Sequence, residues 1–167
     1  RVNTTTANTQ DQASITALTD GGYVVTWTSA GQDGSGYGIY AQRYNSAGVA
    51  QGGQFRVNTT TNDDQSEPQV AMDANGNFVV VWTSAGQDAS GTDGVYARRF
   101  AFDGTPLTGE ILVNSSTDGN QNQARVVSDA AGNFVVTWTS DSQGGSQDGV
   151  LLRRFAASGA ALTGEIL

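Results

Sequence analysis

The sequence predicts an all-β fold: three repeats of about 55 residues, each a four-stranded sheet, packed as propeller-like blades. Three observations predict it. One phrase is written three times, as YVVTWTSAGQD at residues 23–33, FVVVWTSAGQD at 78–88 and FVVTWTSDSQG at 134–144. The middle phrase is apolar on both strand faces, with Phe78, Val80 and Trp82 on one and Val79 and Val81 on the other. No segment sustains a helical hydrophobic period.

The repeat emerges when the chain is slid along itself. Trp27, Trp82 and Trp138 recur in step with Val2-Asn3, Val57-Asn58 and Val113-Asn114, and with Gln10, Gln65 and Gln121. Copy one spans residues 1–55, copy two 56–112 and copy three 113–167, as a single repeat domain without linkers. In copy two, PQVAMD (68–73) is a short alternating strand. ANGN (74–77) is a turn in which Gly76 takes positive φ. FVVVWTS (78–84), rich in β-branched and aromatic residues, is a central strand covered on both faces. A Gly-rich loop follows at 85–94. VYARRF (95–100) is strand three, and EILVN (110–114) is strand four, crossing into the next copy. Sheets with two apolar faces need neighbours on both sides, which radial stacking supplies. A β-trefoil, also three four-stranded units, is the alternative.

Composition narrows the function. The 167 residues carry a net charge of −8, no Cys, no His and no Lys. Without a basic face, nucleic acid is excluded as a partner. No apolar run reaches the roughly 20 residues of a membrane span, so no membrane insertion is expected. Without His or Cys, Ser-His and Cys-His catalysis are excluded within the chain. The chain starts mid-pattern without Met, as a mature product or a piece of a longer protein does.

The residues VAMDANGNFVVVW and GVYARRFAFDG carry a resemblance. Their D-x-x-G-N turn and F-V-V-x-W strand are similar to the β-propeller-type tandem repeats of large secreted bacterial surface and adhesin-like proteins, some of them calcium-associated. The resemblance covers all three copies. It implies a secreted or cell-surface location. Copy one departs from it, with Leu18 where Asp73 and Asp129 stand.

The tryptophans offer either stacking platforms for sugars or core; their mid-strand position, on a face shared with Val and Tyr or Phe, assigns them to the core. The loops after them repeat Gln32, Gln87 and Gln143, and Ser35, Ser90 and Ser146. With Asp33 and Asp88 these are the candidate ligand-binding residues. Asp33, Asp88, Asp93 and Asp148 are candidate Ca²⁺ ligands, because that ion takes six to eight oxygens. The competing reading is that these side chains cap their own loop backbone. Arg43, Arg99 and Arg154 suit contacts to carboxylates or carbonyls of adjacent units. Gln10, Gln65 and Gln121 suit backbone hydrogen bonds between units.

The functional expectation is an extracellular structural or adhesive repeat module. It self-associates, as a ring or head to tail, by blade packing and by completing a strand four divided between Arg1, Val2, Asn3 and Glu165, Ile166, Leu167. The alternative is a multivalent lectin that binds cell-surface glycans through the three loops. Because no acid is singled out in one copy, no catalytic residue and no enzyme activity are expected.

Overall fold

The computed structural model describes residues 1–88, 90–143 and 148–167. The first blade holds β1 (Gln10–Ala17), β2 (Tyr23–Ala30), β3 (Tyr37–Tyr44) and β4 (Phe55–Arg56). The second holds β5 (Gln65–Met72), β6 (Phe78–Ala85), β7 (Asp93–Phe100) and β8 (Ile111–Leu112). The third holds β9 (Gln121–Ser128), β10 (Phe134–Ser140) and β11 (Gly149–Phe155). Strand order follows the chain within each sheet, all antiparallel. In the third blade the fourth position is held by the single bridge Leu152↔Ile166. No helix occurs among the described residues. Three separate sheets stacked face to face are propeller-like blades, and the trefoil alternative falls away.

The turn between the first two strands shows why the sequence folds this way. Asp73 Oδ1 accepts hydrogen bonds from the N–H groups of Asn75 (2.9 Å) and Asn77 (3.0 Å), and its Oδ2 accepts from the Asn77 amide (3.0 Å). Gly76 sits at φ 83°, where a side chain is strained. Asp129 repeats the arrangement with Ala131 and Asn133. In the first blade Leu18 lacks the acceptor, and Asp20 caps the Gly22 N–H instead.

Several strand boundaries differ from the sequence expectation, and β7 begins at Asp93 rather than Val95. β5 begins at Gln65 rather than Pro68, because the ladder to β6 breaks between Ser66 and Gln69. That bulge lets Pro68, which has no N–H, sit inside a strand. Strand four is only two residues long in each of the first two blades, extended by one bond from Val57 N to Ile39 O or from Val113 N to Val95 O.

Each blade has an aromatic face and an aliphatic face. The aliphatic face of the first blade (Val24, Ile39, Ala41) packs on the aromatic face of the second (Phe78, Val80, Trp82, Phe100). The aliphatic face of the second (Val79, Val81, Val95, Ala97) packs on the aromatic face of the third (Phe134, Val136, Trp138, Phe155). Burying one such aliphatic or Phe side chain contributes about 1.5–3 kcal/mol, so these two interfaces are the core. Trp27, Trp82 and Trp138 are all buried. They are structural, as their mid-strand position predicts.

Candidate functional site

The first strands β1, β5 and β9 lie side by side across the three blades, on the edge that faces the axis in a propeller. All three carry a bulge at the same place, where the ladders break after Asp11, Ser66 and Asn122. The bulged residues Gln12 (φ 52°), Glu67 (φ 57°) and Gln123 (φ 55°) occupy the left-handed region without being glycine. A bulge re-aims its side chain. Here the side chains run from blade to blade. Gln12 Oε1 accepts from Thr28 Oγ1 (2.9 Å) and from the Glu67 N–H (2.8 Å). Glu67 Oε2 accepts from Thr83 Oγ1 (3.2 Å) and from the Gln123 N–H (3.0 Å).

This row forms a polar trough. One depression of about 240 Å³ is lined by Gln12, Ala13, Glu67, Gln69, Gln123 and Arg125. A second, of about 200 Å³, is lined by Asp11, Gln12, Thr28, Tyr37 and Ser66, and shares Gln12 with the first. The trough thus offers two carboxylates, several amides, one guanidinium and a tyrosine. Glu67 stands where the other blades have Gln12 and Gln123, and Asp11 stands where they have Ser66 and Asn122. The expectation that no acid is singled out in one copy therefore fails at this row. The signal lies one and two residues beyond the repeated glutamines, in the columns Asp11/Ser66/Asn122 and Gln12/Glu67/Gln123.

The loops expected to bind ligand are largely bonded to themselves and their neighbours. Gln32 Oε1 accepts from Ser29 Oγ (2.9 Å). Gln87 Oε1 accepts from Ser84 Oγ (2.7 Å), and its amide donates to Glu110 Oε2 (2.8 Å). Asp33 Oδ1 accepts from the Ser35 N–H (3.3 Å). Asp88 Oδ1 takes the Ser90 N–H, the Ser90 hydroxyl and the Gly91 N–H. Gln143 is half-buried in the third loop and Asp148 is exposed, while Ser146 lies outside the described residues. Among the described residues, no group of three or more acids is placed to hold a metal ion.

Charge in this region is crowded. Burial pushes the Asp93 carboxyl above its usual range, and Glu67, Asp141, Asp88 and Asp64 add to the shift. Burial also pushes the Tyr96 phenol up to about 12, with Asp88 and Glu110 adding.

Two of the three repeated arginines meet carbonyls of adjacent blades. Arg43 Nη1 donates to Phe102 O (2.6 Å), and Arg99 donates to Ala157 O and pairs with Asp73 at 3.3 Å. The glutamines act inside their own copy, not between copies. Gln65 donates to Asn62 O (2.8 Å) and Gln121 to Asp118 O (3.0 Å). Of the residues expected to assemble strand four, Ile166 already exchanges two backbone bonds with Leu152, and Glu165 accepts from the Ser115 and Ser116 N–H groups. Val2 packs beside the first blade's aromatic cluster, while Arg1 and Leu167 are exposed.

The sequence matches no protein-family model and no curated protein. The fold does match solved structures. An endo-arabinase from Bacteroides thetaiotaomicron aligns over 84% of this chain and 55% of its own, with TM-score 0.54 and 13% identity. The catalytic domain of a Coprinopsis cinerea α-L-arabinofuranosidase aligns over 95% and 50%, with TM-score 0.56 and 12% identity. An endo-1,4-β-xylanase from Bacteroides thetaiotaomicron aligns over 94% and 60%, with TM-score 0.55 and 10% identity. The chain thus spans about half to three-fifths of the structures it resembles. Their shared fold is the β-propeller, which the stacked blades reproduce. Each of these structures is named for an enzyme. That finding, with the singled-out acids of the trough, corrects the expectation that the chain is not an enzyme.

Proposed function

We propose that the chain belongs to an extracellular, glycan-acting propeller and takes its glycan in the axial trough. The observation that carries this reading is Glu67, the one carboxylate in a row of bulged residues whose other members are glutamines. Carboxylates and amides match the paired hydroxyls of a sugar ring, and Arg125 adds a donor at the same depression. The likeness to an arabinase, an arabinofuranosidase and a xylanase supports trying pentose polysaccharides first. Adhesion through a surface glycan is compatible with the same site.

The test is isothermal titration of the chain with soluble arabinan and xylan oligosaccharides. Glu67→Gln keeps the acceptor for the Gln123 N–H but removes the charge, and is expected to weaken binding by about tenfold, the size of one charged hydrogen bond. No binding of any oligosaccharide by the wild-type chain, or equal binding by the variant, overturns the reading.

Hydrolysis is the second reading, favoured by Asp11, the other singled-out acid, in a depression that shares Gln12 with that of Glu67. Cleaving a glycosidic bond needs one carboxyl to protonate the leaving oxygen and a second to act as base or nucleophile. Release of reducing ends that is lost in both Asp11→Asn and Glu67→Gln supports it. Binding without release leaves the glycan reading standing and removes this one.

A further inference from the structure

The two outer faces of the three-blade stack carry the two halves of an interface that the chain already forms twice within itself. The first half is on β11. At both internal junctions the matching residue of strand three, Ile39 or Val95, is bracketed by the segment that leads into the next blade. The Ile39 N–H donates to Asn58 Oδ1 (2.8 Å), and Ile39 O accepts from the Val57 N–H (2.8 Å). Val95 does the same with Asn114 (2.8 Å) and Val113 (2.9 Å). Both residues are fully buried. Val150 holds the equivalent position on β11 and is 71% exposed.

The second half is at Val2-Asn3. The Asn3 amide donates to Thr5 O (2.6 Å) and Gln10 Oε1 (3.0 Å). Asn58 donates in the same way to Thr60 O (2.7 Å) and Gln65 Oε1 (2.9 Å) while its Oδ1 takes the Ile39 N–H. Asn3 is therefore already in the bracketing pose. Its Oδ1 has no partner among the described residues.

The arginine clasp repeats the pattern at the opposite end of the blade. Arg43 and Arg99 reach the carbonyls of Phe102 and Ala157 in the next blade. Arg154, third in that series, is exposed, and its guanidinium has no partner among the described residues. The carbonyl that corresponds to those of Phe102 and Ala157 in the first blade belongs to Ser46, in a turn on the far side of the stack. The apolar surfaces match as well. The third blade leaves Val127 65% exposed on the same aliphatic face as Val150. The first blade presents the stacked pair Tyr23–Tyr44 on its aromatic face, with ring centroids 4.9 Å apart.

We infer that these faces dock onto each other between two copies of the chain, closing a six-bladed ring. Val150 of one copy is bracketed by Val2-Asn3 of the other, and Arg154 clasps the other copy's Ser46 carbonyl. Closed propellers have four to eight blades, and two copies of this three-blade stack give six. A two-fold axis along the ring makes the two junctions identical. This inference is independent of the glycan reading, since the trough residues take no part in the docking pairs.

The test is solution mass by light scattering on the 167-residue chain over a hundredfold range of concentration. The expected result is a species of twice 17.3 kDa that dissociates on dilution. Val150→Asp and Arg154→Glu, both at exposed positions, are expected to shift the equilibrium to monomer while the far-ultraviolet circular dichroism stays unchanged. Monomer at every concentration overturns the inference. A dimer indifferent to both substitutions overturns it too, because the contact then lies elsewhere. Growth without limit overturns the closed ring.

Discussion

Asp73→Ala tests how much of a blade junction rests on one buried charge pair. Asp73 and Arg99 are each only 5% exposed and their charged atoms are 3.3 Å apart. The substitution does two things. It removes the acceptor for the Asn75 and Asn77 N–H groups in the turn, and it leaves Arg99 buried with Ala157 O as its remaining side-chain partner. Breaking a buried pair by deleting one member costs about 3–5 kcal/mol. At about 2–4 °C per kcal/mol for a chain of this size, the melting temperature should fall by roughly 6–20 °C. The third blade supplies the control. Asp129 makes the same turn bonds, to Ala131 and Asn133 at 2.9 Å each, on an exposed surface and with no arginine paired to it among the described residues. Thermal melts followed by tryptophan fluorescence should show a much larger loss for Asp73→Ala than for Asp129→Ala. Adding Arg99→Met to Asp73→Ala should recover part of the difference, since the uncompensated charge is gone. Equal losses for the two aspartates refute the argument, because the turn alone then accounts for the effect.

Two further outcomes follow from the same geometry. Burial pushes the Glu110 carboxyl up, but hydrogen bonds from the Thr59 and Thr60 N–H groups and the Gln87 amide together outweigh it and hold the group below its ordinary 4.5. A depressed folded value means this clasp contributes fully above pH 4.5 and is lost as pH falls through the folded value. Glu110→Gln should therefore flatten the acid side of the stability profile, as read by urea midpoints between pH 3 and pH 7. Gly76→Ala should destabilise by about 1–2 kcal/mol from the left-handed backbone alone. The added carbon also meets Phe102 at 2.5 Å, whereas Gly109→Ala meets nothing within 4 Å and should be close to neutral in the same urea titration.

What the sequence reveals about the fold is whatever the repeat amplifies. Three tryptophans in step identify a central strand, and an apolar pattern on both of its faces demands neighbours, so blade stacking is legible. The inter-unit role of the arginines is legible for the same reason, although sequence alone does not separate the two in Arg98-Arg99. They point to opposite faces. Arg98 reaches back to Val57 O (2.8 Å), while Arg99 reaches forward to Ala157 O. The bulge is harder to read. Its one sequence signal is Pro68, which no internal ladder position tolerates. In the other copies Ala13 and Ala124 stand in its place and give no such warning.

The trough was hidden by the regularity that made the fold visible. Repeats draw the eye to columns that agree, and the loops after the tryptophans agree well. In the structure that agreement serves the loops themselves: Gln32 and Gln87 each tie back to a serine three residues earlier. A ligand that binds on the axis meets three blades from three directions at once. Identical blades would then offer it the same group from every side, which suits neither an asymmetric sugar nor a reaction that needs an acid and a base in different roles. Differentiation at axial positions is thus the physical requirement for function in a stack of near-copies. Position 67 meets it while still accepting the Gln123 N–H through its side chain, as Gln12 accepts that of Glu67. The charge that distinguishes Glu67 from Gln12 and Gln123 is not demanded by that hydrogen bond, because an amide oxygen accepts it equally well at the first junction. It is therefore available for whatever enters the trough.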